Sequence, residues 1–126
     1  SQMREENQIR NTIQIYFDCM LESSTDKVHQ AFHPSAKITG YVDGNLKEMS
    51  VSDFASLVGS QSPSPKEKGE MLPAEILSIE IAGSTAVARV RDDYLGKTFV
   101  DTLSFLKEGD NWSIYTKLFH VERPSS

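Results

Sequence analysis

The sequence contains only one cysteine, Cys19, in 126 residues. No disulfide can therefore form within the chain, and paired-cysteine motifs are absent. Cys19 lies in an apolar helical stretch without an evident partner. A small buried core residue is the favoured interpretation, and a nucleophile is the alternative. The sparse cysteine favours a reducing compartment, and we expect a cytoplasmic location.

Long apolar runs and an excess of positive charge are also missing. No segment approaches the roughly 20 apolar residues of a membrane span, and residues 1–10 lack the apolar core of a signal peptide. The formal net charge is −5, which opposes binding to phosphate backbones and to anionic lipid surfaces. We therefore expect neither nucleic acid nor a membrane as a partner.

The motifs of phosphate, acyl and metal chemistry are absent as well. The chain has no glycine-rich phosphate loop and no nucleophile elbow. His29 and His33 are four residues apart, but the step from His33 to Pro34 ends a helix there. No carboxylate completes a convincing ligand triad with them. We expect no metal and no cofactor.

Three helices are predicted within one domain that spans residues 1–126. The first runs from about Met3 to Glu22, with Tyr16 at the edge of an apolar stripe formed by Ile9, Ile13, Phe17, Met20 and Leu21. A short helix begins at Ser24 or Thr25 and ends near Phe32. A third begins at Ser50 or Ser52. The segment 60–73, with three prolines, is a long loop and a candidate for mobility.

Six strands are predicted, and the turns set the register of four of them. The first strands are residues 36–42 and a short return strand near Leu46, and the others are about 74–81, 86–94, 97–107 and 112–121. If residues 95–96 form a two-residue turn, Asp92 faces Phe99 and Val90 faces Asp101. A four-residue turn at Gly109 then sets Leu118 opposite Asp101 and His120 opposite Phe99.

Side chains alternate along a strand, so this register assigns them to two faces. The core face collects Leu77, Ile79, Ile81, Ala86, Ala88, Val90, Leu103, Phe105, Ile114 and Leu118. The outer face collects Val87, Arg89, Arg91, Val100, Thr102, Ser104, Tyr115, Lys117 and Phe119. A shift of one residue would exchange these two sets.

Three stretches resemble motifs of one superfamily. Residues 31–36 are similar to "F-H-P-x-A", residues 99–107 to "F-x-D-x-L-S-L-x-K", and residues 112–120 to "W-x-I-x-x-K-x-F". The chain thus resembles the nuclear transport factor 2-like superfamily, and within it the small bacterial branch called "putative lumazine-binding" or SnoaL-like. The resemblance implies an α+β, cystatin-like roll, with N-terminal helices packed in a curved antiparallel sheet that forms a cone with a pocket.

The same resemblance does not choose a function. The superfamily includes ketosteroid isomerase, scytalone dehydratase, polyketide cyclases and transport factors, so the fold hosts several unrelated activities. The family label implies a pteridine-like ligand, but no residue of this chain specifies one. We carry three hypotheses: a small-molecule-binding domain, a cofactor-independent isomerase, dehydratase or cyclase, and an interaction module with a filled cone.

Asp101 is the sharpest candidate for chemistry because the register places a carboxylate in the core face between apolar neighbours. Asp92 and His120 share that face, so Asp101 and His120 are the candidate acid–base pair. A structural role for Asp101 is the alternative. The candidate ligand-binding residues are Asp101, His120, Asp92, Tyr41, Tyr16 and His33.

The outer face carries aromatic and apolar residues among positive charges. Such a patch marks an interface, and arginine and aromatic residues are enriched in interface cores. Members of the resembling superfamily pair through this surface. We therefore predict a two-fold homodimer through Tyr115, Phe119, Val100, Arg89 and Arg91.

Overall fold

The structure is a computed structural model that describes residues 1–125. Its elements are α1 (Gln2–Glu22), α2 (Thr25–Ala31), β1 (Phe32–Val42), β2 (Asn45–Ser50), α3 (Val51–Gly59), β3 (Ala74–Ala82), β4 (Thr85–Tyr94), β5 (Lys97–Glu108) and β6 (Asn111–Pro124). The strands form one sheet in the order β2-β1-β6-β5-β4-β3. This confirms the α+β roll, although the sheet is mixed because β1 runs parallel to β6.

Short polar residues set the helix ends. Ser24 caps α2 by accepting a hydrogen bond from the Lys27 amide. At the start of α3, Ser50 and Asp53 form a capping box, in which each side chain accepts from the other's backbone N–H. Helix α1 ends at Ser23, whose φ of 54° is left-handed. Among the described helices, none has the length and apolar character needed to cross a membrane.

Helix α1 presents its buried face to the inner side of the sheet. Ile9, Ile13, Tyr16 and Met20 are all buried, which is the 4-3-4 spacing of one helix face. Phe17, which the sequence placed in that stripe, is only partly buried. Tyr16 therefore lies at the centre of the face and not at its edge, and its side chain extends into the cone.

The β3–β4–β5 part of the sheet follows most of the predicted register. Both predicted β4–β5 pairs are present, Asp92 with Phe99 and Val90 with Asp101. Leu95 and Gly96 both have positive φ, 52° and 76°, as a two-residue hairpin turn requires. On β3 an irregularity after Ile76 sets that residue opposite Val90. Leu77 is exposed as a result, and its predicted place in the core is wrong.

The β5–β6 hairpin departs from the predicted register after its first pairs. The pairs beside the turn are as predicted, Lys107 with Trp112 and Phe105 with Ile114. Ser104 then pairs with Thr116, which leaves Tyr115 as an extra residue on β6. Such a β-bulge shifts the alternation of the strand by one position.

The bulge exchanges the faces of β6 from Thr116 to Val121, where a second irregularity follows. Lys117 and Phe119 lie on the inner face, and Leu118 and His120 lie on the outer face. The predicted placement is wrong at these four positions, because a one-residue shift moves every later side chain to the opposite face. The predicted dimer surface loses Phe119 but keeps Tyr115, Val100, Arg89 and Arg91.

The segment 60–73 is tied to the end of α1. The Lys66 amide donates to the Leu21 carbonyl oxygen over 2.9 Å. Ser64 and Glu67 exchange two hydrogen bonds of 3.0 Å between side chain and backbone. These bonds fix a turn in the segment that the sequence offered as a candidate for mobility, so its path beside α1 is specified.

Candidate functional site

A cavity of about 260 Å³ opens between the end of α1, helix α3 and the inner face of the sheet. Most of its wall is apolar, built by Met20, Ile38, Val42, Met49, Phe54, Leu57, Leu95, Phe99 and Phe119. Its buried polar residues are Asp92, Tyr94 and Lys117. The other polar wall residues are Lys47, Glu48 and Lys97, of which the first two are exposed. An apolar cavity with a few convergent polar groups is typical of a small-molecule site.

Asp101 lies behind this cavity in a fully buried hydrogen bond. Its side chain is 0% exposed, and its Oδ2 atom accepts from the Tyr16 hydroxyl over 2.7 Å. The predicted burial and hydrogen bonding of Asp101 are thus confirmed. Burial and the negative charge of Asp101 raise the pKa of Tyr16 well above its usual value, so the phenol stays a donor. The Asp101 Oδ1 atom has no partner among residues 1–125.

Asp92 is a second buried carboxyl, 2% exposed and part of the cavity wall. Burial raises its pKa well above the usual value, and the neighbouring Asp101 carboxyl raises the pKa further. Its Oδ2 atom, like Asp101 Oδ1, has no hydrogen-bond partner in the described chain. Two adjacent carboxylates do not both ionise readily, so a proton on Asp92 would give these unpartnered oxygens a hydrogen bond to each other.

Lys117 is the functional candidate that the sequence analysis missed. It is 6% exposed, lines the cavity, and its Nζ atom lies 4.8 Å from the Tyr16 ring centroid and 4.5 Å from that of Phe54. The bulge brings it inside. No local signal predicts this position, because Ile114 and Lys117 are separated by two residues. Simple alternation would put those two side chains on opposite faces, so a shared inner face requires an extra residue.

Tyr94 adds a third buried polar group to the cavity wall. Its hydroxyl has no hydrogen-bond partner among the described residues, and burial raises its pKa to about 12. The phenol is therefore neutral near pH 7 and is a free donor. Cys19 is fully buried in the core cluster, and burial raises the pKa of its thiol to about 12, which supports its interpretation as a core residue.

Three predicted site residues lie away from the cavity. His120 is exposed on the outer face because of the bulge. Tyr41 is 64% exposed on the outer side of β1. His33 packs edge-on against Tyr115, with ring centroids 5.3 Å apart, and its Nε2 atom lies 3.7 Å from a Glu108 carboxylate oxygen. The structure thus brings together Asp101, Asp92 and Tyr16 and separates the other three from them.

Comparison with known proteins shows which family the sequence matches. Residues 4–120 match the model of the family described as "Putative lumazine-binding". A curated relative, the aldolase FrzH of Cladobotryum sp, is 30% identical over 111 residues, which are 86% of this chain and 85% of that protein.

Solved structures share the fold. An NTF2-like protein of unknown function from Shewanella baltica OS155 has a TM-score of 0.84 at 25% identity, with 97% of each chain covered. A further one from Silicibacter pomeroyi DSS-3 has a TM-score of 0.86 at 18% identity, with 97% of this chain and 99% of that chain covered. Both are similar in fold to this chain over nearly its whole length.

Proposed function

The chain belongs to the "Putative lumazine-binding" family of NTF2-like proteins, and we propose that its cavity binds a small organic carbonyl compound and transfers a proton to or from it. The observation that carries the proposal is the carboxyl of Asp92, which is buried, lines an apolar cavity and has its pKa raised by burial and by the neighbouring Asp101. Acid–base catalysts need a carboxyl whose pKa is raised toward neutral pH, and burial beside a second carboxyl supplies this.

The carboxyl pair is able to act as a general base and to pass a proton from one carboxyl to the other. In the resting state the two carboxyls share one proton and one negative charge. A proton removed from the carbon beside a carbonyl goes to Asp92, while the shared proton moves fully onto Asp101, so both carboxyls become neutral. The substrate then carries the negative charge as an enolate. Lys117 and the Tyr94 hydroxyl stand in the same cavity wall, where a cation and a free donor stabilise such an oxygen.

The name of the curated relative supports this class of reaction. An aldol reaction forms or breaks a carbon–carbon bond next to a carbonyl, and it needs an enolate or an equivalent carbanion. Proton abstraction of the same kind also begins many isomerisations and dehydrations. We therefore propose enolisation of a carbonyl substrate as the step that this site performs, with Asp92 replacing His120 in the predicted catalytic pair.

Ligand binding without catalysis is the second candidate, and the apolar cavity supports it equally. An interaction module with a filled cone is disfavoured, because about 260 Å³ remains open beside buried polar groups that have no partner.

Deuterium exchange distinguishes the two candidates. With 2-tetralone as the probe in D2O, NMR follows exchange at the carbons beside the carbonyl, and chemical-shift changes of the protein report binding. We expect the wild type to exchange these protons faster than buffer alone. We expect Asp92→Asn to lower the protein-catalysed rate of exchange about 100-fold. Asp93→Asn is the matched control, because it is the next residue and its carboxylate accepts instead from Thr98 over 2.7 Å. Binding without acceleration would leave the second candidate, and absence of binding would overturn both.

A further inference from the structure

The ammonium of Lys117 is buried without a close counter-charge. Its residue is 6% exposed, and among residues 1–125 it forms no ion pair with a carboxylate within 4.0 Å. A buried cation is costly unless it is paired or hydrogen-bonded. The group nevertheless lies in the cavity wall, so a molecule in the cavity is able to reach it.

Two aromatic rings hold this ammonium in place. Tyr16 of α1 and Phe54 of α3 present their rings at 4.8 Å and 4.5 Å, within the range of a cation–π interaction. Such contacts attract a cation to the faces of the rings. They use none of its three N–H donors in a conventional hydrogen bond, so those donors remain for an acceptor in the cavity.

The acidic residues nearby do not supply that acceptor. Asp101 already accepts from Tyr16. Burial and the neighbouring Asp101 raise the pKa of Asp92 by more than the charge of Lys117 lowers it, which favours the neutral form of Asp92. At the exposed end of the wall, the Glu48 carboxylate lies 3.5 Å from Lys37. Two further lysines, Lys47 and Lys97, belong to the same wall. The cavity therefore presents more positive than negative charge to what enters it.

We propose that the ligand of this cavity is a small, mainly apolar molecule with one anionic oxygen, a carboxylate or an acidic enol, which the Lys117 ammonium binds. The inference rests on the proposed function, because it concerns the same cavity, and it adds the charge of the substrate. It identifies Lys117 as a specificity-determining residue. The apolar wall receives the body of the molecule, and the anionic oxygen lies against Lys117 near Asp92.

A matched pair of aromatic probes tests whether the cavity prefers an anionic ligand, without knowledge of the natural ligand. 2-Naphthoate and 2-naphthamide have the same rings and differ in charge, and titration calorimetry with the full chain at pH 7 gives both affinities. We expect 2-naphthoate to bind about tenfold more tightly, which corresponds to about 1.4 kcal/mol. In Lys117→Met this preference is expected to disappear. Lys66→Met, which removes the same charge from an exposed position outside the cavity wall, is expected to keep it.

The outcomes separate this inference from the function on which it rests. Equal affinity of the wild type for the two naphthyl probes would overturn the anionic-ligand inference and leave the cavity as a binding site. A preference that survives in Lys117→Met would overturn the role of Lys117. The wild-type comparison needs no variant, so it stands even if Lys117→Met does not fold. Failure of 2-naphthoate, 2-naphthamide and 2-tetralone to bind would overturn the proposed function and this inference together.

Discussion

Replacing Asp92 by Asn is expected to stabilise the protein by an amount that grows with pH. Burial and the neighbouring Asp101 raise the pKa of Asp92 in the folded state, whereas the unfolded chain has the ordinary value of about 4. Between these two values the folded protein keeps a proton that the unfolded chain releases. Its stabilising effect is therefore complete below about pH 4 and is lost as pH rises toward the folded pKa.

The magnitude follows from proton linkage. With one more proton bound in the folded state, the free energy of unfolding falls by about 1.4 kcal/mol for each pH unit. Asn carries no charge at any pH, and its amide N–H still donates to Asp101. The difference in stability between Asp92→Asn and the wild type is therefore expected to rise by about 1.4 kcal/mol per unit above about pH 4, and to level off above the folded pKa.

Urea denaturation at unit steps from about pH 4 to pH 8 measures this difference. Hydrogen bonds lower the pKa values of Glu5, Glu67 and Glu122, and these groups give the wild type a slope of opposite sign. They are present in both proteins and far enough from the substitution to cancel in the difference. Asp93→Asn again serves as the matched removal of one carboxylate.

A difference that stays constant with pH would refute the reasoning, because it would mean that Asp92 carries its charge in the folded protein. The shared proton between the carboxyls, and with it the relay in the proposed reaction, would then have to be abandoned. The expected result instead is that Asp92→Asn is more stable than the wild type near neutral pH and also loses the acceleration of deuterium exchange. Such trade-offs are common where an active site holds groups in unfavourable states.

The remaining predictions concern the core and the outer face. Tyr16→Phe removes the donor to a buried carboxylate oxygen of Asp101 and is expected to cost about 2–3 kcal/mol of stability, measured by urea denaturation; an unchanged midpoint would contradict that bond. The outer face bears Leu118, 54% exposed, and Tyr115, 39% exposed, and we expect a homodimer that Leu118→Glu dissociates. Light scattering at micromolar concentration checks this, and a wild-type monomer would exclude the dimer.

The accuracy of sequence-based prediction along this chain depended on how local the determining contacts are. The β4–β5 register was predictable because Leu95-Gly96 is a two-residue turn whose backbone conformation fixes the pairing of every residue in the hairpin. Asp101 and Asp92 are therefore on the face where the sequence placed them. The cap at Ser50 was predictable for the same reason, since its partner Asp53 is three residues away.

The predictions were wrong where contacts between segments distant in sequence determine which way a side chain faces. The extra residue at Tyr115 packs against His33 of β1, a contact that no turn length reveals, and it alone reverses the faces of Lys117 and His120. Similarly, the helical periodicity of α1 allows either Tyr16 or Phe17 to face inward. The position of Asp101 across the cone, which offers the Tyr16 hydroxyl an acceptor, favours the first.

The place of β1 beside β6 has a consequence for how the protein is made. The β3–β4–β5 strands and the β1–β2 hairpin pair with neighbours in sequence, but the middle of the sheet joins the first strand to the last. Ile38 and Lys117, which meet across that junction, also line the cavity. During synthesis the chain is therefore able to form its hairpins early. The part of the cavity wall between β1 and β6 forms only after β6 has been synthesised. Pairings of such high sequence separation form slowly, so we expect the ability to bind a ligand to appear late in folding.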